Sequence, residues 1–270
     1  MFRLLFTGIA CGLLLACASQ APVATDTAPE PDTIAAAAKP PERAFPDDSI
    51  YPLLLAEFAL RRQAYDVALQ QYLEQAPKLR DPGVSEHTTH LAQFMTNEQA
   101  ALEAVQLWVE LEPDNIEANN TLSILLIRQG RALEAVPHMA LLASKGEPVN
   151  FPALLSGFQE LAPEQRDALV KGIDQLAADH PENPQLLLTQ AMVMAEREEF
   201  DAALAKLQRV FELEPDQSQA ALLEARILLA QQASDPFARL QKLLEENPQD
   251  KQVRLQYARL LTATDMAAAR

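Results

Sequence analysis

The sequence is poor in the residues that build most catalytic and cross-linked sites. Its 270 residues include only 2 Cys, 7 Gly, 4 His and 1 Trp, and aromatic side chains make up 6%. Two cysteines cannot hold a disulfide-knot scaffold, and the scarcity of glycine excludes collagen-like chains. The same scarcity leaves few places for a phosphate-cradling loop, and no Gly-x-Ser-x-Gly elbow, Walker loop or His-Glu-x-x-His pattern occurs. Basic residues are also short: 22 Lys and Arg stand against 38 Asp and Glu, a formal net charge of −16. Nucleic-acid affinity comes from cations that neutralise phosphates, so DNA and RNA are poor partners for this chain. What is abundant is Ala, Leu, Glu and Gln, the good helix formers, within a 49% hydrophobic composition. The expectation is an all-α protein that is not an enzyme and has neither cofactor nor small-molecule substrate.

The amino end carries an address. Arg3 precedes an apolar run from Leu4 to Leu15, too short to span a bilayer permanently, and Leu14-Leu15-Ala16-Cys17 follows. These four residues resemble the lipobox of bacterial lipoproteins, which implies cleavage after residue 16 and acylation of Cys17; an ordinary secretory cut near Ala18 is the alternative. Cys11 has Gly8 where the lipobox takes an aliphatic residue. With Cys17 acylated, the mature chain has no thiol left for catalysis or metal binding. Ala18 rather than Asp after the cysteine implies, by the same resemblance, the periplasmic face of the outer membrane. Residues 17–48 contain Pro22, Pro29, Pro31, Pro40, Pro41 and Pro46 among Ala, Thr and acidic residues. With no apolar face to bury, this stretch is expected to be a disordered tether.

From residue 49 onward the chain repeats. Pro82, Pro113, Pro148, Pro181, Pro215 and Pro248 are 31, 35, 33, 34 and 33 residues apart. A second register of Ala68, Ala101, Ala135 and Ala203 advances by 33, 34 and twice 34. Each unit reads as a helix, a short break, a second helix near the small residue, and an acidic-Pro turn. Large residues such as Tyr65 and Tyr72, or Phe200 and Leu207, flank the alanine on the same helix face. Asp114 and Asp216, which follow turn prolines, are placed to cap the next helix.

This grammar resembles the tetratricopeptide repeat, which implies an αα-superhelix over residues 49–270 with about six helix pairs plus one helix. The unit between residues 150 and 181 keeps only length and apolar pattern. A last helix is expected over residues 251–262, with Asp265 beginning a partner, as if further repeats followed. In this repeat family the first helix of each pair lines a concave groove that holds peptides or partner helices. The corresponding positions are Glu57 and Arg61; His87, His90 and Gln93; Asn120, Ile124 and Arg128; Phe158; and Met192 and Glu196. Leu154, Phe158 and Leu161 are candidates for an apolar pocket, and equally for core between repeats.

His87 and His90 lie three apart beside Glu86, but no second ligand cluster follows them in sequence, so no metal site is expected. The acidic pairs Glu110/Glu112 and Glu212/Glu214 recur at equivalent turns and are expected to be solvated. Trp108 is expected to pack between repeats. Anchor, tether and repeats together are similar to tetratricopeptide outer-membrane lipoproteins. One such lipoprotein is an adaptor for a periplasmic carboxyl-terminal processing protease and presents peptidoglycan hydrolases to it. Others assemble pili, outer-membrane proteins or a peptidoglycan synthase.

Overall fold

The computed structural model describes residues 44–268, with side chains to residue 262. The expected signal, Cys17 and nearly all of the tether lie outside the described residues. Among the described residues the regular structure is helical, and no helix is long and apolar enough to cross a membrane.

Helices pair in chain order. The first pair is α1 (Ile50–Arg61) with α2 (Tyr65–Leu79), the second α3 (Pro82–Phe94) with α4 (Glu98–Leu111), and the third α5 (Ile116–Arg128) with α6 (Ala132–Ser144). In the fourth, two short 3-10 turns, Phe151–Leu155 and Phe158–Glu160, stand where a first helix would be, ahead of α7 (Pro163–Asp179). Then come α8 (Pro184–Glu196) with α9 (Phe200–Leu213), α10 (Ser218–Ala230) with α11 (Ala238–Glu246), and α12 (Lys251–Ala268). Contacts also run within a layer: α8 touches α10 and α10 touches α12 among first helices, and α2 touches α4 among second helices. The result is two helical layers.

Local chemistry sets each boundary. Between pairs, the turn Glu112-Pro113-Asp114-Asn115 closes through the Asn115 N–H donating to the Glu112 carbonyl at 3.1 Å. Proline fits its second position because its φ is already correct there. Asp114 therefore occupies the third position of the turn, and the cap of α5 is Asn115, whose Oδ1 accepts from Ala118 N at 3.0 Å. The same offset makes Gln217, not Asp216, the cap of α10. This corrects the expected capping residues by one position. Asn183 and Asp250 cap α8 and α12 two residues beyond their prolines in the same way.

Within pairs, the turn uses a left-handed residue two places past the first helix: Gln63 (φ 60°), Thr96 (55°), Gly130 (73°), Glu198 (60°) and Gln232 (58°). The next N–H reaches back five residues, as Asn97 does to the Ala92 carbonyl and Arg131 to that of Leu126. This is the Schellman closure that satisfies orphan helix carbonyls.

The alanine register falls in the core. Ala56, Ala68, Ala101, Ala135 and Ala203 are fully buried, with Tyr72, Trp108 and Leu207 buried beside them. At about 25 cal/mol per Å² of apolar surface, these faces supply most of the stabilisation of helices that are only three to four turns long. Two apolar clusters result. One runs from Ala56 to Val193 and the other from Leu187 to Val253; they meet in α8, whose Leu186 and Val193 belong to the first and Leu187, Leu188 and Ala191 to the second.

One further expectation is corrected, and one pair of alternatives is decided in favour of core. α12 runs unbroken through residues 262–265, because nothing between Thr262 and Asp265 is a Gly or Pro that would stop it. Leu154, Phe158 and Leu161 line no pocket together: Leu154 and Phe158 are buried in the first cluster and Leu161 packs against it. Phe158 sits on a 3-10 turn after Gly157, whose φ of +70° turns the chain so that the ring points inward.

Candidate functional site

The residues expected to line a groove fall into four local groups on the first helices and, for Phe158, on the 3-10 turn that stands in for one. In the first, Glu57 on α1 accepts from the hydroxyl of Tyr72 at 2.5 Å, and the His87 ring packs edge-on against Tyr72 with centroids 4.9 Å apart. Burial, and then the Glu57 carboxylate, pushes the Tyr72 phenol far above its usual pKa, so it stays a neutral donor. Arg61, one turn further on, is exposed and has no ion-pair partner among the described residues.

In the second group, His90 Nε2 lies 2.8 Å from Glu117 Oε1 of the next pair. Its ring stands edge-on to Trp108 at 5.8 Å. Trp108 is buried, and its indole N–H donates to Glu112 at 3.0 Å, which also accepts from the α5 cap Asn115 at 2.8 Å. Glu86, one turn before His90, places a carboxylate oxygen within 4.8 Å of the ligand atoms of both His90 and Glu117. Glu117 is distant in sequence and comes from the neighbouring repeat.

In the third group, Gln93, Ile124 and Arg128 line a cleft of about 170 Å³ with Thr96 and Glu98. Arg128 is ion-paired with Glu98. Asn120 is exposed one turn from Ile124, and its own carbonyl accepts from Ser123. In the fourth, Met192 and Glu196 of α8 line a cleft of about 180 Å³ with the rim of Phe158 and with Gln159, whose amide donates to Glu196.

A larger cleft, about 380 Å³, opens beside this last group between α8, α10 and α12. Met192, Leu222, Leu223 and Val253 give it an apolar floor, and Gln219, Arg226, Gln256 and Asp250 its polar rim, with Asp250 engaged in capping α12. Arg226 makes no ion pair with any described residue. Stepping 34 residues on from Met192 reaches Arg226, so the repeat register that located Met192 also holds the signal for this cleft. The acidic pairs have separate structural partners: Glu110 takes Arg80 at 2.6 Å and Glu212 takes Arg209 at 2.6 Å. None of these arrangements aligns a nucleophile with a base.

No protein-family profile matches the chain. It is 36% identical over 213 residues to TPR repeat-containing protein PA4667 of Pseudomonas aeruginosa, a match covering 77% of this chain and 36% of that protein. The chain is built as a tetratricopeptide-repeat solenoid. It thus spans about a third of the length of the curated relative it matches. Among solved structures, PilW, a type IV pilus biogenesis factor, superposes with a TM-score of 0.46 at 14% identity, covering 78% of this chain and 99% of that one. Pseudomonas aeruginosa pilF gives 0.44 at 15%, covering 80% and 97%. YrrB, a TPR protein described as having an unusual peptide-binding site, gives 0.41 at 14%, covering 71% and 98%.

Proposed function

We propose that this tetratricopeptide-repeat solenoid is a noncatalytic adaptor, anchored through acylated Cys17 to the periplasmic face of the outer membrane. It brings peptidoglycan hydrolases to a carboxyl-terminal processing protease and activates that protease. The observation that carries the reading is the cleft between α8, α10 and α12, where an apolar floor lies beside Arg226, a cation left without an ion-pair partner among the described residues. Such a cleft can take an apolar side chain and an adjacent carboxylate of a protein segment. A scaffold that holds protease and substrate together makes their encounter nearly intramolecular, so it raises the rate without a catalytic residue of its own.

The test is a reconstituted degradation assay with the acylated full-length protein, the protease and a wall hydrolase, run beside mild crosslinking in membranes. Degradation is expected to depend on the adaptor and to fall about tenfold or more with Arg226→Glu, which replaces the cleft's cation by a second carboxylate beside Asp250. Crosslinking that recovers pilus, outer-membrane barrel or synthase subunits, with no protease, would overturn the reading in favour of assembly.

A further inference from the structure

The geometry points to a divalent transition-metal site formed by Glu86, His90 and Glu117, and we propose that it takes Zn²⁺ or a similar ion as a clasp between the second and third helix pairs. Glu86 and His90 are one helical turn apart on α3, a spacing that presents both side chains on one face. Glu117 comes from the first turn of α5, and the three ligand atoms all lie within 4.8 Å of one another. One imidazole with two carboxylates suits Zn²⁺, Ni²⁺ or Co²⁺, with a coordination position left for water.

Two features distinguish this cluster from scattered surface charge. The first is orientation: the His90 ring is set edge-on against Trp108 at 5.8 Å with an interplanar angle of 89°, which aims Nε2 at Glu117. Trp108 is itself held through Glu112 to Asn115, so the ligand ring rests against a fixed neighbour. The second is charge. Two carboxylates converge on one point in a chain of net charge −16, and a divalent cation relieves their mutual repulsion. Since the ligands come from two repeats, binding stiffens the layer of first helices at this point. His87 takes no part, because its ring is engaged with Tyr72.

Trp108 is the only tryptophan in the chain and sits beside the site, so it reports binding directly. The full chain is titrated with CoCl₂ or NiCl₂ while Trp108 emission is followed, and with ZnCl₂ by calorimetry. Expected are saturable quenching reversed by chelator, one ion per chain, and a Zn²⁺-dependent rise in melting temperature. Glu117→Gln, which leaves the His90–Trp108 contact in place, should weaken binding about tenfold or more, and His90→Gln should remove it. His87→Gln should bind as the parent does. Absence of saturable binding up to about 1 mM overturns the proposal. So does an equal affinity in the His90 and Glu117 variants with native circular dichroism, or a loss confined to His87→Gln.

Discussion

His138 shows how one side chain can tie adjacent elements together and make them sensitive to pH. Asn119 is 2% exposed, and its amide donates twice, to the carbonyls of Pro113 at 2.9 Å and Asn115 at 2.8 Å. Its Oδ1 must therefore accept from His138 Nδ1, 2.7 Å away, which fixes the tautomer of the imidazole. Burial pushes the His138 pKa below its usual value, so the folded chain keeps the ring neutral where the unfolded chain, titrating near 6.5, has begun to take a proton. The unfolded state then binds more protons, and stability falls as pH drops below about 6.5. Melting the parent and His138→Gln at about pH 7.5 and 5.5 should show the larger acid loss in the parent, since glutamine can donate to Asn119 without titrating. A larger loss in the variant would contradict the assignment. Nothing in the local sequence marks this pair: His138 and Asn119 are 19 residues apart and on different helices, so only the packed pair reveals the contact.

At the scale of the element, the turn within each pair is the most regular device in the molecule, yet its residues vary. Gln63, Thr96, Gly130, Glu198 and Gln232 all take left-handed backbone angles, and only one of them is glycine. A left-handed conformation costs a residue with Cβ about 1–2 kcal/mol, and a β-branched residue is the worst suited. Thr96→Gly should therefore stabilise the chain by roughly 0.5–1 kcal/mol, the relief of strain being partly offset by the greater freedom glycine gives the unfolded chain. Denaturant midpoints measure it; a lower midpoint for Thr96→Gly would show that its hydroxyl bond to the Met95 carbonyl outweighs the strain. These turns also mark how far the elements were legible. Proline and alanine registers located the helix pairs, because both residue types act through local sterics. The caps stand one residue later than the sequence suggests because Pro-Asp fills the middle of a turn whose last residue does the capping. Phe158 sits on a 3-10 turn after Gly157 and not on the helix that the register implies, yet its rim still lines a cleft with Met192 and Glu196. Glu117 and Arg226 are hidden in the sequence for different reasons: the first acts through a contact between repeats, and the second lies one repeat beyond Met192.

At the scale of the molecule, a stack of pairs that touch mainly their neighbours should not unfold as one unit. Stability in such arrays is close to a sum of repeat and interface contributions. The two apolar clusters meet in α8, and the 3-10 turns beside it replace a full helix in the inner layer. Trp108 belongs to the first cluster and Leu207, fully buried, to the second. Leu207→Ala removes a core side chain at a cost of about 2–5 kcal/mol. In urea it should shift the early part of the circular-dichroism transition to lower denaturant while leaving the Trp108 emission transition almost where it is in the parent. If both signals move together by the full amount, α8 couples the clusters into one cooperative unit. The separation matters for function, because the cleft at Arg226 lies over the second cluster and the Glu86–His90–Glu117 group over the first. With separable clusters, metal binding at the second and third pairs should leave the Leu207→Ala circular-dichroism shift unchanged and move only the Trp108 transition. A clasp on one part of the solenoid would then stiffen its own repeats without altering how the distant cleft meets a partner.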